Sequence, residues 1–428
     1  MANVNRQIEI PTGLDRKERR SLKRGLLGIV PKDTIIVPKK SKITEFDILE
    51  DAFSAAICKT SIEIIASQSE DHSPDRVIAN LNRLLLESIA TLMIKNAERV
   101  AWQLRSTRRT KFAVAFDFTA VMYYGVDKKG NPFVTGTKPK NGTYYAFRFF
   151  AISITTDGAR FILYACPVTK ETDGAFMYVE TGIELLRELG INVSILTLDR
   201  EFYAADVINY LQEGHINFII PVPQTDRFKR EVKKRTQFPE KLPAVVKFWR
   251  IGQPHVNETE TTLVILEEKD ERKGEVHTYG YVTDLPWDFY QTDPSILSEL
   301  YSKRWGIETA FRVEDKFDIY TTTRKGEVRY FFFAVGCLLY NFWVFINFCV
   351  QISEFGRGRS KILIKVDKLK LFFTILLLKD KVLRDRNIAN LLLVAIGERQ
   401  ILMLLCHFST RTKTKRDFTS ENSATIFG

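Results

Sequence analysis

Glu308 sits in the stretch YSKRWGIETAFRVEDKF at 301–317, with Tyr301 seven residues before it, Arg304 four before it and Arg312 four after it. In one helix turning about 100° per residue, these four side chains fall within roughly 40° of a single line. On its own, a carboxylate between arginines on one helix face is a surface ion-pair ladder worth about 0.2–0.5 kcal/mol. Two other carboxylates offer a different reading. Asp117 ends the apolar run KFAVAFD at 111–117, and Asp199 directly follows the apolar run at 193–198. Both runs read as buried strands, so each acid stands at the rim of a sheet. An unpaired carboxylate there is unfavourable and calls for a compensating cation. Two acids at neighbouring strand ends, joined by a third from a helix, make an oxygen-only site suited to Mg²⁺ or Mn²⁺. A pair of such ions about 4 Å apart can activate an attacking oxygen and stabilise the leaving one at a phosphodiester. Asp199 also has a plainer local use, capping a helix that begins near Glu201, whereas Asp117 lies in FDFTAVMYYG, where turn chemistry is less obvious. Asp127, Asp157, Asp173 and Glu201 are nearby competitors for the same chemistry.

The elements that must position these acids follow from the change of period near Lys111. Strand-like runs at 111–117, 148–155 and 160–167 precede a helix at 174–189, a buried strand at 193–198, a helix at 201–211 and a last run, NFIIPV, at 217–222. The order β-β-β-α-β-α-β describes a mixed sheet covered by helices, an α/β fold. Residues 224–293 differ in composition. They open with the basic run RFKREVKKR and continue with strand-like runs at 244–251, 261–267 and 276–283, which suits a β-rich insertion. Ahead of the α/β region lie a basic arm and two helical patterns, at 45–66 and from Ser73-Pro74 to about Leu104. The expected organisation is therefore an arm and helical region at 1–110, an α/β domain at 111–352 containing the insertion, and a basic helical region with a disordered tail at 353–428.

Composition narrows the partner. The chain has 428 residues and a formal charge of +11, which favours a polyanion. Between Arg6 and Lys42 eleven Lys and Arg face only four acids, a density that fits either a solvated arm or a segment tracking phosphates. Prolines at 11, 31 and 38 exclude one long helix there. The five cysteines are scattered, with no CxxC pair, and the five histidines complete no zinc pattern. The uncharged run at 331–350, FFFAVGCLLYNFWVFINFCV, has the length of a membrane span. Asn341 and Asn347 interrupt it and no second span is as clear, so it is expected to be a helix buried inside a large domain.

The motifs carry a resemblance. Asp117 in AFDFT, Asp199 in LTLDREFY and Glu308 in YSKRWGIETAFR resemble the DDE transposases of prokaryotic insertion sequences, with a ribonuclease H-like catalytic domain. The last stretch is similar to that group's signature of Tyr, two residues, Arg, three residues, Glu, six residues and Lys. Tyr301, Arg304 and Glu308 match in identity and spacing, whereas Asp315 stands at the lysine position and Lys316 one residue later. Lys316 would lie about 80° around the helix from Glu308, so either a local bend presents it or Arg312 takes its place. The resemblance covers about residues 111–350. It implies two Mg²⁺ or Mn²⁺ ions on Asp117, Asp199 and Glu308, cleavage of the element ends and strand transfer into target DNA, with excision through a hairpin. It further implies DNA contacts by Tyr301, Arg304 and Arg312 or Lys316, a homodimer on double-stranded DNA, and a cytoplasmic, nucleoid-associated protein with no membrane anchor. The rival expectations are a ribonuclease H-like nuclease that cuts without joining, and a transposase-derived DNA-binding protein that has lost catalysis.

Overall fold

The computed structural model of the protein describes residues 27–382, apart from 70–71, 106, 108, 127–128, 157–159, 173, 238–241, 255, 270–275 and 356–363. The arm cations at 6–24, Asp127, Asp157, Asp173, positions 356–361 of the glycine–arginine loop and the tail run RTKTKR at 411–416 lie outside the described residues. The chain divides into two units: Ala97–Phe311, and the residues up to Asn96 together with those from Arg312 on.

The two helical patterns near the N-terminus each break in two. Helices α1 (Glu45–Cys58) and α2 (Ile62–Ala66) replace the first, and α3 (Pro74–Leu81) and α4 (Leu86–Arg105) replace the second. Local chemistry explains the first break. Thr44 and Asp47 form a reciprocal capping box at the start of α1, and Lys59 ends it in the left-handed region at φ 52°. Ser61 then starts α2 by accepting a hydrogen bond from the Ile64 N–H.

Nine strands form one sheet among the described residues. They are β1 (Phe112–Met122), β2 (Val134–Lys140), β3 (Thr143–Ile154), β4 (Phe161–Pro167), β5 (Val193–Leu198), β6 (Phe218–Pro221), β7 (Ala244–Ile251), β8 (Thr259–Lys269) and β9 (Val276–Thr283). Strands β1 and β3 are antiparallel, as are β3 and β4, whereas β5 runs parallel to β1 and β6 parallel to β5. Helix α5 (Ala175–Glu188) connects β4 to β5 and helix α6 (Ala205–Glu213) connects β5 to β6. A three-stranded meander followed by two parallel strands is the mixed sheet that the order of elements implies and the ribonuclease H-like sheet that the resemblance implies. Strand β2 has no counterpart among the sequence expectations. Its segment, VTGTKPK, is mostly polar and carries little apolar signal, and it pairs with the first part of β3 on the edge away from β1. The three strands of the insertion continue the same sheet, β9 pairing antiparallel with β6 and then β8 and β7 following. The basic run before them forms α7 (Asp226–Gln237).

Beyond the insertion come α8 (Trp287–Tyr290), α9 (Ile296–Ser302), α10 (Trp305–Glu314), a 3₁₀ turn at Asp315–Phe317, α11 (Gly326–Phe355) and α12 (Val366–Val382). Helix α11 contains the long apolar run. Its segment Gly326–Phe348 is apolar enough to cross a bilayer, yet 83% of its most apolar window is buried. Its two asparagines are hydrogen-bonded there: Asn341 donates to Asn96 Oδ1 at 2.9 Å, and Asn347 accepts from the Ile364 N–H at 2.8 Å. A buried amide with partners belongs in a protein core, where leaving it unpaired would cost about 1–3 kcal/mol.

The first half of β1 is apolar on both faces because α5 covers one of them. Gly182 on α5 lies so close to β1 that a Cβ there would meet Phe116 Cζ at 2.7 Å and Ile152 Cδ1 at 3.2 Å. Phe116 is fully buried and has no room to move. Gly182→Val is therefore expected to cost about 1–3 kcal/mol through overpacking. Thermal unfolding followed by circular dichroism should show a midpoint lower by ~2–4 °C per kcal/mol, and an unchanged midpoint would refute the close approach.

Candidate active site

Register brings the first two acids together. Phe116 on β1 pairs with Leu198, the last residue of β5. Asp117 and Asp199 are thus next in register on parallel strands about 4.8 Å apart. Asp117 does not end its strand, as its sequence context suggested. β1 runs on for five more residues, paired with β3 through Asp117↔Ala151 and onward to Met122↔Ala146. What ends at this level is β5, so Asp117 faces the gap left by its shorter neighbour.

Several contacts lock these two segments. Phe118, next to Asp117, stacks on Phe202 with ring centroids 4.8 Å apart and planes 6° from parallel. Phe202 belongs to the 3₁₀ turn Arg200–Phe202 that follows Asp199. Glu201 of the same turn pairs with Arg148 on β3, and the Arg148 guanidinium lies 4.8 Å from the Phe118 ring. Glu201 is thus occupied by an arginine rather than free to compete as a third acid. Asp199 does cap that turn, accepting from the Arg200 N–H through Oδ1 at 2.7 Å. The cap uses one carboxylate oxygen, so capping and ligand binding are compatible. One residue past the turn, the Tyr203 hydroxyl accepts from Trp249 Nε1 at 2.8 Å, and the Arg227 guanidinium lies 4.2 Å from the Trp249 ring. The insertion therefore braces the Asp199 segment from the side. In the sequence the usable signal for this frame is the aromatic following each acid, FDF and LDREF; Arg148, Trp249 and Arg227 carry none.

Glu308 comes from a helix that is broken, not continuous. Tyr301 is in α9 and Glu308 in α10, with Lys303 and Arg304 in the turn between them. The four side chains hence do not share one straight helix face. Leu297 anchors α9 in a buried cluster with Ile195, Ile219 and Tyr281, and Tyr301 packs on Tyr281 with centroids 5.2 Å apart. Breaking the helix lets Arg304 turn inward: it is 7% exposed, while Lys303 and Trp305 on either side are exposed. Arg304 donates from one Nη to Asp117 Oδ2 at 2.8 Å and from the other to Glu308 Oε1 at 2.7 Å. Its guanidinium also lies 5.1 Å from the Tyr301 ring. The structure thus brings Asp117, Glu308, Arg304 and Tyr301 together, with Asp199 beside Asp117. Arg312 and Lys316 belong to the other unit: Arg312 is exposed, and Lys316 donates to Asp367 at 3.1 and 3.2 Å.

The electrostatics reflect three acids around one cation. Burial pushes the Asp117 pKa up to about 7, with Asp199 and Glu308 adding to the rise and Arg304 and the Phe118 N–H opposing it. Burial opposes the charge on Arg304, but the oxygens of Tyr301, Asp117, Asp199 and Glu308 around it raise its pKa overall. Burial likewise raises the Tyr301 pKa, keeping the phenol protonated and able to donate. The oxygens of the three acids do not all lie within 4.8 Å of one another, a spacing met among the described residues only by Glu314, Asp315 and Asp318 in the other unit. Burial drives the Glu314 pKa well up, helped by Asp318 and Asp315. In the ribonuclease H-like unit, by contrast, a cation already bridges two of the acids. A donor set of hard carboxylate oxygens, one of them buried and in need of positive charge, fits a divalent ion.

A mixed sheet of ribonuclease H-like topology, with three acids at the level where β5 ends, defines the class of this unit. The family model described as Transposase DDE domain matches residues 113–342, more than half of the chain, and the chain belongs to that family. Among solved structures, the cryo-EM structure of a piggyBac transposase synaptic complex with hairpin DNA is similar at 12% identity and a TM-score of 0.44, over 98% of this chain and 86% of that one. No curated protein matches the chain.

The raised pKa of Asp117 has a consequence for stability. Its folded pKa of about 7 exceeds its ordinary value of 3.8, so the folded state holds the proton more tightly and stability falls as pH rises from about 4 to about 7. Asp117→Asn removes that dependence. In metal-free buffer the variant should gain on the wild type by on the order of 2–3 kcal/mol between about pH 5 and pH 8. Denaturant unfolding at the two pH values measures it. A wild type that gains relative to the variant as pH rises would mean that the Arg304 pair outweighs burial.

Proposed function

We propose that this DDE transposase cuts the ends of its own insertion sequence and joins them to target DNA, with Asp117, Asp199 and Glu308 as the catalytic acids. The observation that carries this reading is the Arg304 bridge. One guanidinium reaches an acid on the central strand and an acid on the helix, and register sets a second strand acid alongside. Those three acids would hold divalent ions, two Mg²⁺ or Mn²⁺ in the reading favoured here. When bound, such ions stabilise charge and activate an attacking oxygen at a phosphodiester.

The protein's own side chains supply the rest. Arg304 uses both Nη groups on carboxylates; with those carboxylates otherwise neutralised, it would be a charge-assisted donor for a phosphate oxygen. Tyr301, stacked against Arg304 and protonated, offers a second donor to the same phosphate. Tyr301, Arg304 and Glu308 support membership of the Tyr-Arg-Glu-Lys group of prokaryotic insertion sequences, where cut-and-paste excision passes through a hairpin. Arg312 is exposed and suited to the role of the displaced lysine, and Lys316 becomes available if DNA draws it from Asp367. The net charge of +11 favours DNA as the partner. Holding two element ends at once calls for a homodimer, acting in the cytoplasm at the nucleoid. We further propose that 111–352 acts as the catalytic domain, with 224–293 as its insertion, and that 1–110 and 353–428 serve DNA binding.

Purified protein, Mg²⁺ and a labelled element end test this reading. Strand-transfer products support a transposase; nicking without joining would identify a nuclease, and no cleavage at all a binding protein that has lost catalysis. Asp199→Asn and Glu308→Gln should each lower cleavage more than about a hundredfold, beyond the 10–100-fold loss typical of altering a ligand's supporting residue. Both should retain DNA binding. Wild-type cleavage by Asp199→Asn would remove Asp199 from the site.

A further inference from the structure

Far along the chain from the carboxylates, the unit that contains the N-terminal helices carries a cleft of about 360 Å³ between the loop at 38–42 and helix α3. Eight residues line it, and four of them are cations, Lys40, Lys42, Arg76 and Arg83, with no acid among the eight. Like charges converging without a counterion repel one another, and an anion held there would relieve that repulsion. All four cations are exposed. No ion pair among the described residues neutralises Lys40, Lys42 or Arg76.

The frame that presents these cations is fixed. On the helix side, Arg76 and Asn80 are four residues apart on one face of α3, and Arg83 stands in the turn just past its end. Asn80 is 4% exposed; it donates to the Arg76 carbonyl at 2.8 Å and accepts from Arg83 Nη1 at 3.2 Å. On the loop side, the Ser41 N–H donates to the Pro38 carbonyl at 2.8 Å, and the buried Ile35 and Ile43 pin the two ends. The nearby acids are committed to backbone. Glu45 accepts from the Asp33 and Ile35 N–H groups, each at 2.9 Å, and Asp47 from the Thr44 N–H at 2.8 Å. Asp75 precedes Arg76 on α3, about 100° around the axis from it, and does not line the cleft.

We propose that this cleft holds the sugar-phosphate backbone of duplex DNA. Its apolar lining is limited to Pro38 and Ala79, so nothing there stacks a base, as a nucleotide pocket or a single-strand site would require. Lys40 and Lys42 on the loop side and Arg76 and Arg83 on the helix side would contact the phosphates of the duplex. Such contacts hold DNA in position without reading its sequence. The identification of the polyanion as DNA rests on the transposase reading; the cleft itself is independent of the three acids.

Equilibrium binding of the full chain to a short labelled duplex in EDTA tests the proposal, with affinity followed from about 50 to 200 mM salt. Each phosphate contact contributes about 0.9 to the slope of log K against log salt. Arg76→Ala/Arg83→Ala should reduce the slope by about 2 and weaken binding more than tenfold at the lowest salt, and Lys40→Ala/Lys42→Ala should do the same. Unchanged slopes in both double variants would overturn the proposal. So would a wild type that binds phosphatidylserine vesicles through these four cations while its DNA slope ignores them. The two proposals fail separately: a slope that falls in variants of a protein unable to cut DNA would leave the cleft standing without the catalytic reading. Intact cleavage with unchanged slopes would do the reverse.

Discussion

The unit Ala97–Phe311 depends on one buried guanidinium. Arg304 is almost wholly enclosed and contacts Asp117 and Glu308 through separate nitrogens. Taking a charge out of water is unfavourable by several kcal/mol, and it is tolerated only where opposite charges and hydrogen bonds compensate. Here the compensation is mutual. Asp117 lies on a strand otherwise apolar at that level, and without a cation its carboxylate would be unpaired. Removing Arg304 would leave Asp117 and Glu308 without this cation, and removing the acids would leave the arginine buried without them. This explains why the chain interrupts a helix at Lys303 and Arg304.

A second constraint is the length difference between neighbouring strands. Parallel register fixes which residues of β1 and β5 lie side by side, and β5 stops one residue before Asp199. Asp199 is therefore free of the ladder and can cap the turn that follows, while Asp117, still in its strand, is held against it. The Phe118–Phe202 stack and the Arg148–Glu201 pair then tie both sides of that step together. Two acids held this close repel each other, and the rise of the Asp117 pKa records part of that repulsion. Rigid surroundings keep the acids in place despite it, because the aromatic contacts are made by the residues next to them and not by the acids themselves.

How much of this was legible in the sequence depended on the range of the interaction. Runs such as KFAVAFD and NFIIPV announce buried strands because no polar residue interrupts them, and the order of strands and helices followed from those runs. The long apolar helix was readable as a core element because Asn341 and Asn347 require partners that a bilayer does not supply. Strand β2 was not readable: VTGTKPK pairs with β3 through backbone alone and carries no apolar pattern. The helix break was hidden for another reason. The spacing of Tyr301, Arg304 and Glu308 fits one helix, and the contact made at the break reaches Asp117, 187 residues away. The i,i+4 pair of Arg304 and Glu308 could be read locally; the bond from Arg304 to Asp117 could not. Asp117 looked like a strand end because KFAVAFD changes to a less apolar stretch there. In the structure that change marks the loss of a neighbouring strand, and β1 itself continues.

Arg304 also bears on why such an arrangement persists. A buried ion-pair network is seldom the most stable filling for its volume, and apolar residues of similar size often serve stability as well or better. The Asp117 carboxyl, with its pKa raised to about 7, is a further liability in the folded protein above that pH. Sites that combine buried charge, like-charge neighbours and a partnerless donor such as Arg304 Nε are where function and stability pull apart. An incoming divalent ion and a phosphate would relieve both strains together, the ion by neutralising the acids and the phosphate by accepting from the arginine. The resting protein then holds Arg304 as the cation its acids lack.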